Sequence, residues 1–247
     1  MSELIFKNAR ILIGGVDLSG VHNECNLTAK ADILDRTVFT SSARRRTAGL
    51  EDVEFTAGGF FDSGTTKAAD PKHFAAVGST GNVLTVLPEG TGLGLRSYFV
   101  DKMSYEYSPG GAVGEMLGFN IACYGDGRIV GGKLFQAGSL SSAVTPTVQN
   151  IGYKGPSQSW YANAQVTSFS SAGAKMEIKY QIATSSAFGA GVADVIKLST
   201  FSSTAGAYRA ETGSTSAGST AATWGRFVLT PGTTLDSITA YLSAGIR

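Results

Sequence analysis

The sequence predicts an all-β protein, and three observations carry that expectation. Glycine supplies 32 of the 247 residues, and Gly, Ser and Asp turn signals punctuate the chain throughout. Several segments alternate apolar and polar residues with the two-residue period of a half-buried strand. A single short segment has both a helix start and a helix stop.

In chain order, Ala9 to Val16 is an apolar run closed by the turn Asp17-Leu18-Ser19-Gly20. Cys25, Leu27, Ala29, Ala31 and Ile33 then alternate with Asn26, Thr28, Lys30 and Asp32, which reads as a strand with one buried and one wet face. A polar excursion carrying Arg44, Arg45 and Arg46 follows, and alternation resumes through Val53, Phe55 and Ala57. Gly58-Gly59 before Phe60-Phe61-Asp62 marks a bulge or a close backbone approach. Asp70-Pro71 to Gly78 is the helix: a capping carboxylate, proline at the first position and glycine just past the end. Strands are expected again at Asn82–Leu87, Arg96–Tyr107 and Val113–Tyr124. Later, Trp160–Phe169 and Lys175–Ala183 flank Ser170-Ser171-Ala172-Gly173 as an expected hairpin. Val195–Phe201, Trp224–Leu229 and Ser237–Leu242 complete the set, with Gly213 to Thr223 a low-complexity loop.

The length suits two domains. Residues 1–127 carry 11 Lys+Arg against 15 Asp+Glu, a balance of −4, and residues 128–247 carry 9 against 4, a balance of +5. Glycines cluster where the sign changes, so the expected division is a first β domain over 1–127 and a second β-sandwich or jelly roll over 128–247. Opposite balances are either chance or complementary surfaces that meet in an assembly. Neither a basic start with an apolar run nor an apolar stretch near 18 residues occurs, so secretion by that route and membrane spanning are not expected. Cys25 and Cys123 read as buried thiols in preference to a disulfide.

Little in the chain offers catalysis. His22 sits in a turn and His73 in the helix, and no CxxC, HExxH, GxSxG or P-loop spacing occurs. Gly90-Thr91-Gly92-Leu93-Gly94 lacks the Lys-Ser/Thr of a phosphate loop. Asp32, Asp35, Glu51, Asp52 and Glu54 fall on the wet faces of strands. No catalytic residue, cofactor or metal ligand is expected. Arg44-Arg45-Arg46 admits phosphate contact, a solvated loop, or ion pairing with a neighbouring subunit. The acidic residues that follow and the absence of interleaved aromatics favour the last.

Taken together, Gly15-Val16-Asp17-Leu18-Ser19, Leu34-Asp35-Arg36-Thr37-Val38-Phe39, Ala48-Gly49-Leu50-Glu51-Asp52-Val53-Glu54-Phe55 and Gly58-Gly59-Phe60-Phe61-Asp62 resemble the major tail tube proteins of long-tailed bacteriophages. The likeness extends through Val83-Leu84-Thr85-Val86-Leu87-Pro88 and covers about the first 125 residues. It implies an N-terminal tail-tube-type β-sandwich or barrel with one short helix, and a non-enzymatic subunit that self-assembles into stacked rings through which DNA passes. It further implies an inter-subunit arm over 35–50, with Asp35, Arg36, Arg44, Arg45, Arg46 and Leu50, held by an anchoring strand with Val53, Phe55, Phe60 and Phe61. The partners it implies are other copies of the chain, in hexameric or pseudo-hexameric trimeric rings, together with tape-measure, tail terminator and baseplate proteins. DNA would pass without sequence-specific binding, and no membrane is involved. The location implied is the virion tail, assembled in the host cytoplasm. The competing reading is a virion surface or decoration protein whose second half binds a partner or glycan, with Trp160, Tyr161 and Trp224 as stacking candidates or as core.

Overall fold

The computed structural model describes residues 8–40, 42–64, 68–79, 81–140, 147–169, 174–189, 191–198, 201–203, 209–216, 221–231 and 238–247. Among them the chain is mostly strand with one short helix. The elements in order are β1 (Arg10–Ile13), β2 (Val16–Asp17), β3 (His22–Asp35), β4 (Arg46–Phe60), α1 (Ala69–Ala76), β5 (Asn82–Leu87), β6 (Arg96–Gly110), β7 (Gly118–Gly125) and β8 (Val130–Leu140). They continue with β9 (Gln149–Asn150), β10 (Trp160–Phe169), β11 (Ala174–Ala183), β12 (Ala193–Lys197), β13 (Phe201–Ser203), β14 (Arg209–Thr215), β15 (Trp224–Pro231) and β16 (Ile238–Ile246).

By packing, the chain divides into two units, each discontinuous in sequence. The larger comprises Met1–Gly20, Asn82–Val100 and Val130–Arg247; the smaller comprises Val21–Gly81 and Asp101–Ile129. The last crossing falls between Ile129 and Val130, near the linear division expected at 127/128. The early strands β1, β2 and β5 belong to the larger unit because their apolar residues find hydrogen-bonding edges there: β1 pairs antiparallel with β5 through Arg10↔Leu87 to Ile13↔Leu84. β6 passes from one unit to the other beside Lys102, whose φ of 54° is unusual for a side chain-bearing residue.

In the larger unit one sheet follows the order β14-β10-β16-β8-β6-β5-β1-β2, and a second follows β12-β11-β15-β9 with β13 on β11. Alternation decides what each strand buries. Trp160, Ala162, Ala164 and Val166 of β10 join Ile178, Tyr180 and Ile182 of β11 and Phe227 and Leu229 of β15 in one apolar cluster. Gly225 is required there, because a Cβ would collide with the Tyr180 hydroxyl. The other face of β10 is buried as well but polar. Asn163 Nδ2 donates to Thr85 Oγ1 at 2.9 Å, Gln165 Nε2 donates to Thr85 Oγ1 at 2.9 Å and to the Val83 carbonyl at 3.1 Å, and Gly15 N donates to Gln165 Oε1 at 2.7 Å. A buried amide is tolerated only when so satisfied.

Three expectations change here. β10 and β11 do not form a hairpin: β10 pairs with β14 and β16, and β11 with β12, β13 and β15, because both strands carry an apolar face that the shared core buries better than an edge pairing would. Their connection, 170–173, lies outside the described residues. β8, whose glycines disguise it, is an additional strand carrying the buried Phe135 and Leu134. Part of the expected loop 213–223 is strand, since β14 runs to Thr215, while 217–220 lie outside the described residues.

In the smaller unit the strand order is β3-β4-β7-β6. One face buries Val53, Phe55, Ala57, Phe119, Ile121, Cys123, Met103 and Tyr105, and α1 meets it where His73 contacts Tyr105 and Phe119; both cysteines are free. The helix starts at Ala69, with Ala68 as a cap lacking a side-chain bond, so Asp70 lies inside the first turn. Its carboxylate is instead drawn to Tyr107, whose hydroxyl donates to Asp70 Oδ1 at 2.8 Å.

Candidate assembly surface

β3 and β4 form a hairpin that outruns the body of the smaller unit. Their pairing continues from Leu27↔Phe55 and Ala29↔Val53 out to Asp35↔Arg46, with a bulge between Ala31 and Ile33. Beyond Val53 neither strand buries a residue: Ala29–Asp35 is exposed throughout and Arg46–Asp52 is exposed or half-buried. About seven residues per strand at the rise of a β-strand amount to roughly 23 Å of projecting hairpin.

The connecting turn orders itself. Thr37 N donates to Asp35 Oδ1 at 2.8 Å, Arg45 N donates to Thr37 Oγ1 at 2.9 Å, and Arg36 N donates to the Arg45 carbonyl at 2.7 Å. The bonds from Thr37 favour the Asp35 carboxylate and lower its pKa. The expected arm over 35–50 is therefore mostly strand at its second limb. Only 36–45 connects, because Thr47 and Ala48 pair with Leu34 and Ile33.

The projecting part carries the large apolar side chains Ile33, Leu34, Val38, Phe39 and Leu50, with Leu50 82% exposed and Phe39 fully exposed. Arg36, Arg44, Arg45 and Arg46 surround them in solvent, and none forms an ion pair among the described residues. Of the four anchoring residues expected from sequence, Val53 and Phe55 are buried in the core of the unit, Phe61 is half-buried and Phe60 is 46% exposed. Sequence reading missed Ile33, Leu34, Val38 and Phe39 as surface features, although Phe39 stands alone among Ser, Thr and Arg. It also assigned Val113, Met116 and Leu117 to a strand. β7 begins only at Gly118, and these three side chains are exposed in the 111–117 loop.

The face of the β3-β4-β7-β6 sheet away from α1 is polar and acidic. Glu24, Asn26, Thr56, Glu106 and Asn120 line an open groove of about 440 Å³ on it. Lys30 Nζ is 3.0 Å from Asp52 Oδ2 farther along. Among the described residues β3 pairs only with β4, so one edge of this 14-residue strand has no described strand beside it. At the other side of the sheet β6 is 15 residues long, and β7 pairs with its part from Met103 to Gly110.

Among the described residues no cluster of three His, Cys, Asp or Glu side chains could hold a metal ion, and no helix is long and apolar enough to cross a membrane. Of the stacking candidates, Trp160 is fully buried and belongs to the core, while Tyr161 and Trp224 are half-buried.

No protein-family model and no curated protein sequence matches the chain. Similar solved structures include the virion of a native gene transfer agent particle, at a TM-score of 0.37 and 16% identity over 48% of this chain and 92% of that one. They also include the tube-terminating cap of the anti-feeding prophage, at 0.43 and 12% identity over 53% and 91%. The Dit protein of phage SPP1, described as a hub of the adsorption apparatus in phages infecting Gram-positive hosts, aligns at 0.37 and 14% identity over 98% and 100%. These scores are too low for the likeness to carry a functional argument, which rests on the residues of this chain.

Proposed function

We propose that the chain is a structural protein of a phage virion tail, a subunit whose copies join into rings that stack into a tube. The observation that carries this is the β3–β4 hairpin: a long, self-ordered projection with apolar side chains and arginines at its end and no catalytic content. An ordinary loop does not hold Phe39 in water at the end of a paired ribbon; a side chain so placed is buried by something else. The edge of β3 with no described strand beside it and the outer part of β6 favour a head-to-tail arrangement, since joining the two edges between copies removes unpaired strand groups and closes a ring. The acidic face then suits a lumen that lets DNA slide without holding it. The roles of the 35–50 arm and of Arg44 to Arg46 in meeting a neighbouring copy belong to the same proposal, as do partners such as tape-measure, terminator and baseplate proteins. Ring number is six if the larger unit is an outward decoration, and three if it acts as a second tube module.

Electron microscopy of the purified full chain tests this. Long hollow tubes support it. Discrete monomers or trimers that bind capsids or glycans would replace it with the decoration reading, for which the exposed Tyr153 is a remaining stacking residue.

A further inference from the structure

His22, at the start of β3, and His73, in α1, meet in the core of the smaller unit with ring centroids 5.4 Å apart and planes at 76°. Phe119 of β7 lies 5.2 Å from His22 and 5.1 Å from His73. Tyr105 and Tyr107 of β6 lie 5.8 and 5.6 Å from His73. All four imidazole nitrogens are buried; none meets a side-chain hydrogen-bond partner among the described residues, and the Gly58 backbone is the one polar group that acts on His22. This is a costly arrangement for polar rings, and an impossible one for two cations.

The groups that face the pair do not relieve it. On α1, Lys72 adds positive charge, and the Asp70 carboxylate is occupied by the Tyr107 hydroxyl. On β6 and β7, burial raises the pKa of both Tyr105 and Cys123 and keeps them neutral. On β3, Glu24 lines the groove on the opposite side of the sheet, and Cys25, on the same face as His22, is a thiol whose pKa burial raises. β4 offers only the Gly58 backbone, which partly offsets the burial of His22. Two aromatic rings thus hold α1 onto the sheet only while both are uncharged.

We propose that the His22–His73 contact is an acid-sensitive latch: protonation of the rings releases α1 and opens the smaller unit, while the larger unit stays folded. This does not depend on the tube reading. The direction follows from linkage. Burial lowers His22 from 6.5 to about 4, and burial, His22 and Lys72 lower His73 from 6.5 to about 3. An unfolded chain therefore binds protons that the folded one refuses. Stability is complete above pH 6.5 and falls as the pH drops toward 4.

Amide hydrogen exchange of the full chain, expressed as protection factors, reads both units at once. Between pH 7.5 and pH 5, two such histidines raise the open population of the smaller unit on the order of a thousandfold. The expected result is that loss of protection in α1, β3 and β4, with β10 and β16 unchanged. Trp160 and Trp224 both lie in the larger unit, so tryptophan emission should stay constant over the same range. His73→Phe, which keeps an aromatic ring among Tyr105, Tyr107 and Phe119, should cut the effect to about thirtyfold. An equal loss of protection in wild type and His73→Phe overturns the proposal, as does full protection of wild type at pH 5. Should the variant fail to fold, the wild-type histidine Cε1 proton titrations decide instead. Midpoints below pH 5 that coincide with opening support the latch, and two ordinary midpoints near 6.5 overturn it.

Discussion

In the larger unit Trp160, Tyr180, Phe135 and Phe227 are fully buried between two sheets, and even the amides of Asn163 and Gln165 have partners. In the smaller unit Phe39, Val113 and Leu50 stand in solvent, and among the described residues strand β3 pairs along one edge only. Among the described residues twelve of the fifteen large exposed apolar side chains belong to the smaller unit, so the imbalance is not a matter of size. Strands of the same composition class are self-sufficient in one unit and incomplete in the other. The lesson is that a fold's own apolar cover marks where its stability resides, and uncovered apolar surface marks where the proposed assembly is to be tested.

The sharpest way to break the comparison is Phe227→Ala. If the larger unit is a self-contained core, the variant loses about 3–5 kcal/mol in urea unfolding followed by tryptophan emission. A loss below about 1 kcal/mol would show that the core is not continuous. Next comes Gln165→Ala, which strands the Gly15 amide and the Val83 carbonyl and should cost about 2–3 kcal/mol by the same measurement.

The smaller unit should respond in assembly and not in stability. Replacing 36–45 by an Asn-Gly turn, which closes a two-residue hairpin at Asp35 and Arg46, or making Phe39→Asp, should leave the unfolding midpoint unchanged and abolish tubes in electron micrographs. Normal tubes from either protein would reduce the hairpin to a mere loop. Substituting Arg44, Arg45 and Arg46 by glutamine should act more weakly, since each exposed ion pair contributes about 1 kcal/mol at most. Light scattering should show slower assembly and a flatter salt dependence. The smallest effect is expected for Lys102→Gly, which relieves a left-handed backbone and should raise stability by about 1 kcal/mol.

Much of the strand set was legible because alternation is a local property. Asn82–Leu87 coincides with β5, and the alternating stretch from Cys25 to Ile33 lies inside β3. The hairpin was legible as a place, since charge between two strands marks an excursion. Its character was not, because pairing of Ala48 with Ile33 is set by register and no local pattern announces it. Likewise β8 was hidden: Gly131-Gly132-Lys133 reads as a break, yet β16 lies directly against those glycines, at Gly132, where a Cβ would strike the Ala244 carbonyl.

By itself the sequence determined that this chain is built of strands, that one short helix interrupts them, and that Asp35 to Leu50 is unlike the rest. Those follow from side-chain period, turn chemistry and charge, each readable within a few residues. Only the tertiary structure decided which strands share a unit, that β10 is buried on both faces, and that His22 meets His73 across a long separation in sequence. Each of these depends on edge pairing and face-to-face packing between distant segments, which the free energy of burial selects and local pattern does not encode.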